Sequence, residues 1–190
     1  MEDFNDAGPQ KSFDVIPAGT ICTLQITVRP GNAGDGGWLT AANTTKGNSI
    51  GLDLELVVVD GEYAKRKVWI RLTLSGSTDG HQTASDISKR TLRAILESAR
   101  GVQPNDQSEA AKRARQINNF GDLNNLRFVA RLDVLPARDG YQAKNTIAEV
   151  ITPDQQVWRQ PEQINQAINA TSGLSQKATA GEITRPTWAT

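Results

Sequence analysis

From Val68 to Leu74 every second residue is apolar: Val68, Ile70, Leu72 and Leu74. A period of two belongs to a strand, with one face packed on a core and the other turned outward. A helix would scatter these four side chains around its axis. Two earlier stretches alternate in the same way. In a first strand from about Thr20 to Arg29, Cys22, Leu24, Ile26 and Val28 share a face, and Pro30 ends the run. In a second, from about Ile50 to Val59, Leu52, Leu54, Leu56 and Val58 face inward. A fourth strand, Leu126 to Leu135, aligns Leu126, Phe128, Ala130, Leu132 and Val134. The turn Arg138-Asp139-Gly140 then leads into a fifth, Tyr141 to Ile151. A chain organised this way is mainly β.

The outer face of the third strand carries the chemistry. Tyr63, Lys65, Lys67, Trp69 and Arg71 occupy its odd positions, interleaving positive charge with two flat rings. Cations attract phosphate and rings stack on unpaired bases, so the combination suits single-stranded nucleic acid. The plainer alternative is a solubilising outer face, and the exposed Trp argues against it. Arg29 lies on the outer face of the first strand, Arg127 and Arg131 on that of the fourth. Trp38 and Lys46 lie in a long glycine-rich loop, Gly31 to Asn48, and either close over a bound strand or pack back on the domain.

The parity of the apolar sets requires an odd-numbered turn between the second and third strands. A three-residue turn Asp60-Gly61-Glu62 satisfies it. This register sets Glu55 opposite Lys67 and Asp53 opposite Trp69, so Glu55 would neutralise Lys67. Val57 and Val59 fall on the same outer face.

Between the third and fourth strands the pattern turns helical. A helix is expected from about Ser85 to Arg100, with Thr83 and Asp86 as a capping box and Ser85 as a competing cap. Ile87, Leu92, Ile95, Leu96 and Ala99 form its apolar stripe, and Gly101 stops it. A shorter helix follows Ser108, from Glu109 to about Ile117.

The whole chain has 21 basic and 21 acidic residues, but they are unevenly distributed. Residues 1–62 hold 3 basic and 9 acidic side chains, residues 63–144 hold 15 and 8, and residues 145–190 hold 3 and 4. A basic middle can meet a polyanion despite zero net charge, because salt screens charges beyond about 8–10 Å. Mean hydropathy is −0.46 and no apolar run approaches a membrane span. The acidic start lacks a secretory pattern, and the lone Cys22 permits no intrachain disulfide, which fits a cytoplasmic protein.

No cofactor, metal or catalytic constellation is evident. His81 is the sole histidine, Cys22 faces the core, and Asp79, His81 and Ser85 are ordinary residues of a polar segment. A non-enzymatic protein is therefore expected. Residues 1–17 read as a polar lead-in, 18–155 as the folded domain and 156–190 as a flexible tail, with a short helix allowed near 161–170. Three strands, a helical insertion and two strands match the order of a five-stranded OB-like Greek-key barrel, whose second and third strands bind oligonucleotides.

The segments FDVIPAGT, LVVVDGEYAKRKVWIRLTL, SKRTLRAILESARG, GDLNNLRFVARLDV and YQAKNTIAEVITPD resemble a phage- and prophage-encoded family. That family carries a domain-of-unknown-function label, and its members are proposed to be single-stranded-DNA-binding proteins. The resemblance spans roughly residues 3–155 and the Arg-Pro-Thr-Trp-Ala ending. It implies an OB-like fold, a bacterial host cell as location and a role in phage replication or recombination. It carries no catalytic residue. Asn145 and Ile147 match a recurring position without an assigned role. The ending has Glu182 as its one acid after Glu162, unlike the acidic recruiting tails of many such proteins. Arg185, Pro186 and Trp188 are instead the candidate contact with replication or recombination proteins. A protein-interaction or virion component with a β-barrel core is the rival reading.

Overall fold

The computed structural model describes residues 3, 5, 6, 8, 14–45, 47–138 and 140–163. Six strands form one antiparallel sheet: β1 (Ile21–Val28), β2 (Thr40–Thr44), β3 (Gly47–Val58), β4 (Lys67–Gly76), β5 (Arg127–Leu135) and β6 (Lys144–Ile151). Helix α1 (Asp79–Arg100) and the short α2 (Glu109–Ala114) lie between β4 and β5. The mainly β class with a helical insertion is therefore observed, with one strand more than the alternation predicts.

The long strand β3 organises the sheet. One of its edges pairs with β2 near Gly47–Gly51 and with β1 near Leu54–Val58. Its other edge pairs with β4. On the far side β1 pairs with β5, and β5 with β6. The path β4–β3–β1–β5–β6 brings its two ends, β4 and β6, within 8 Å of each other at their Cα atoms. No ladder joins them among the described residues, so the sheet is open there. Each pairing is antiparallel, which makes β4 and β6 run in the same direction.

The alternation correctly predicts the core. Leu24, Ile26, Leu52, Leu54, Leu56, Phe128 and Leu132 are sealed from solvent, and α1 adds Ile95 and Leu96. Seven such side chains, each contributing about 1.5–3 kcal/mol when fully buried, drive the sheet to curl around them.

Several boundaries differ from the sequence expectation. The glycine-rich loop is not irregular throughout, because it contains β2. Gly31 passes so close to Leu39 that a Cβ there would sit 2.0 Å from its carbonyl oxygen. This approach reverses the chain, and Thr40–Thr44 pairs back on β3. Helix α1 starts at Asp79, six residues early, because Thr78 caps it by accepting the His81 N–H. Its buried face is Ser85, Ser88, Ile95, Leu96 and Ala99, whereas Ile87 is 58% exposed. Ser85 lies inside because its hydroxyl donates to the Leu74 carbonyl.

The ends of the domain also depart from expectation. Ile16, in the expected polar lead-in, is buried in the core. Its N–H donates to Asn145 Oδ1 at 2.8 Å, and Asn145 Nδ2 donates to its carbonyl at 2.7 Å. Arg66, in the β3–β4 turn, donates to the Asp14 carbonyl. Residues 14–16 thus bridge the β3–β4 turn and β6. At the far end, Trp158 Nε1 donates to the Ser98 carbonyl, Pro161 is buried, and Gln163 bonds to Arg127 and Ala99. Residues 156–163 therefore belong to the folded unit. Residues 161–163 carry no helix; the rest of the expected helix, and Arg185, Pro186 and Trp188, lie outside the described residues.

Candidate nucleic-acid interface

The outward face of β1, β3 and β4 is where the sequence places its basic and aromatic stripe. Lys67, Trp69 and Arg71 stand on it in a row. Tyr63 and Lys65 do not. The turn between β3 and β4 holds seven residues between the paired Val58 and Arg66, rather than three, and both belong to it. Its odd length obeys the expected parity, but β4 begins four residues later than predicted. Tyr63 packs partly buried against the core, and Lys65 adopts a left-handed φ of 69° at the turn.

The longer turn moves the register by one pair. Val57 faces Lys67, Glu55 faces Trp69 and Asp53 faces Arg71. Glu55 still reaches Lys67 diagonally, with Nζ 2.7 Å from Oε1. Its second oxygen accepts the Trp69 indole N–H at 3.2 Å. The hydrogen bond from Lys67, helped by that indole and by the charges of Lys67 and Arg29, holds the Glu55 carboxyl below its usual range. Glu55 thus does two things: it neutralises one cation and fixes the plane of the ring beside it. Trp69 remains 52% exposed.

Arg71 is tied more firmly. Its guanidinium donates to Asp53 at 3.0 Å and to the Thr40 carbonyl at 2.9 Å. To reach β2 it lies across Gly51, where a Cβ would come within 2.8 Å of Nε. Arg71 therefore fastens β2 to the sheet. Arg29, at the end of β1, is exposed and close enough to lower the Glu55 pKa, and it forms no ion pair among the described residues.

The other expected contacts are dispersed. Trp38 packs back onto the domain, its ring edge against Gly121, where a Cβ would sit 2.8 Å away. Arg127 and Arg131 lie on β5, with β3 and β1 between it and β4. Arg127 donates to Gln25 at 3.0 Å, and Arg131 pairs loosely with Glu149 at 3.5 Å. Lys46 lies outside the described residues. Asn145 is a structural clamp on Ile16, and Ile147 is partly buried against the core.

One group was not picked out from sequence. Tyr141, in the β5–β6 hairpin, is 81% exposed, with Arg138 and Lys144 on either side of it and Leu135 also exposed. Neither cation forms an ion pair among the described residues. The visible signal was a ring between two cations, but it lies astride a turn motif and breaks the period-two pattern. No metal-holding group of His, Cys, Asp and Glu occurs among the described residues. Among them, no helix is long and apolar enough to cross a membrane.

Compared with known proteins, the chain matches no family model and no curated protein.

Proposed function

We propose that this protein binds single-stranded DNA with little sequence preference, without catalysing a reaction, on the outward face of β1, β3 and β4. The observation that carries the reading is Trp69: a half-exposed indole, held in plane by Glu55, between Lys67 and Arg71. A ring fixed before binding loses little freedom when a base stacks on it, and any base can stack. Because Lys67 and Arg71 are paired with carboxylates, stacking outweighs charge on this face. Arg29, which forms no ion pair among the described residues, and the hairpin residues Arg138, Tyr141 and Lys144 supply the phosphate and base contacts beyond it.

The strand path supports the same reading. With β2 set aside as an addition, β4–β3–β1–β5–β6 with a helix after β4 has the order of an OB-type barrel, left open between its last neighbours. The resemblance to the phage and prophage family adds a role in replication or recombination in the bacterial cytoplasm, with Arg185, Pro186 and Trp188 as the contact for partner proteins.

The direct test is Trp69→Ala, titrated with a labelled oligo-dT after its fold has been checked by circular dichroism. The expected loss is about 1–3 kcal/mol of affinity, the worth of one base–aromatic stack. The salt dependence should hardly change, since no phosphate contact is removed. A folded variant that binds like wild type would transfer this face to the rival reading, a surface for another protein.

A further inference from the structure

Helix α1 lies across the two unjoined strands, and a slot of about 570 Å³ opens between α1, β4 and β6. That volume falls in the usual range for a small organic ligand, about 300–1,000 Å³. Ile70, Ile87 and Ile147 give it apolar walls; Thr146, Thr91, whose hydroxyl donates to the Ile87 carbonyl, and Glu149, whose carboxylate accepts from Gln155 and pairs with Arg131, complete the lining that the argument uses. Both β4 and β6 turn toward it an edge that pairs with no strand among the described residues, so alternate peptide groups point that way. Ile87 is the puzzle of the helix: 58% exposed, and off the face that packs on the core. Arg90, one turn further along the same wall, is exposed and forms no ion pair among the described residues.

Apolar walls, open peptide groups and Arg90, with the Glu149 carboxylate taken up by Arg131 and Gln155, together fit one chemistry: a nucleobase with its phosphate. The slot lies along the unpaired edge of β4, the strand that carries Trp69 on its outward face, so a bound strand reaches it by passing around that edge. An added peptide strand fits less well. It would need about twice the 4.7–4.9 Å strand spacing between β4 and β6, and their Cα atoms approach within 8 Å.

We infer that the slot between α1, β4 and β6 takes one base of the bound strand, turned out past Trp69, while Arg90 meets the adjoining phosphate. The inference rests on the single-strand reading above. Ile87→Ser and Arg90→Gln test it in the full chain; both positions are exposed, so the melting temperature serves as the control for folding. Each variant is titrated with oligo-dT carrying a single 2-aminopurine, and iodide quenching of the bound probe is measured.

Ile87→Ser should weaken binding about fivefold, the worth of partly burying one isoleucine, and leave the salt slope unchanged. Arg90→Gln should flatten the log–log salt slope by about 0.7. The probe, shielded from iodide on wild type, should become accessible on Ile87→Ser. Wild-type affinity and shielding in both variants, with Trp69→Ala still weakened, would overturn the slot and leave the single-strand reading standing. Failure of wild type to bind oligo-dT at low salt would overturn both. Wild-type affinity in both variants, together with an extended peptide that protects β4 and β6 amides from exchange, would reassign the slot to a protein partner.

Discussion

Glu55 controls how much of the proposed face is electrostatically available. It occupies Lys67 and the Trp69 indole together, and its carboxyl is held below its usual range chiefly by the Lys67 hydrogen bond. A lowered carboxyl pKa contributes stability above the ordinary value, lost as pH falls through the lowered one, so the pair stays closed at neutral pH. Glu55→Gln keeps an acceptor for the indole but releases Lys67. It should tighten oligo-dT binding and steepen the log–log salt slope by about 0.7, read by anisotropy at several salt concentrations. Unchanged affinity and slope would mean that Lys67 does not meet phosphate. Cys22 gives a second test at this scale. Burial, with a smaller push from Asp60, raises its thiol to about 11. Iodoacetamide at pH 8 should therefore label it only after denaturation. Because the folded pKa is raised from 9.0, the stability it lends is present below that value and lost as pH climbs toward about 11. At this scale the sequence revealed Trp69 and the neighbouring carboxylates but not which of them faces which. Side-chain parity requires an odd turn, yet Asp60-Gly61-Glu62 does not specify whether it has three residues or seven.

Among the elements, the segment before β1 and the start of α1 show what periodicity overlooks. Ile16 follows Phe13 and Val15 in a segment too short to show a period, yet Asn145 holds its backbone by two hydrogen bonds. Asn145→Ala would leave both Ile16 groups without that partner and should cost about 1–3 kcal/mol of stability by urea denaturation. An unchanged midpoint would mean the stretch is held by Ile16 burial alone. The buried stripe of α1 runs Ser85, Ser88, Leu92, Ile95, Ala99, with helical spacing of three and four. Serine does not register as apolar, so an apolar stripe drawn from sequence passes through Ile87, which the structure turns outward. β2 was missed for a related reason: Thr40–Thr44 has no apolar alternation, and its position depends on the reversal at Gly31 and the Arg71 bond to Thr40.

For the whole molecule, the order of strands and helix was legible because β1, β3 and β4 alternate, β5 nearly so, a turn motif introduces β6, and the helical insertion breaks the period. The open edge between β4 and β6 was not, since closure depends on distances that no local pattern encodes. The zero net charge concealed a distribution that the fold then partly cancels, with Lys67, Arg71 and Arg131 each paired to a carboxylate. A protein of this kind should discriminate by the availability of base faces rather than by the density of phosphate. The decisive measurement is therefore titration of the full chain with labelled poly-dT and with duplex of equal length, each at several salt concentrations. Binding should be tighter to the single strand, with a preference that survives as salt rises, because stacking persists when phosphate contacts are screened. Equal affinity for the two, falling together with salt, would contradict it.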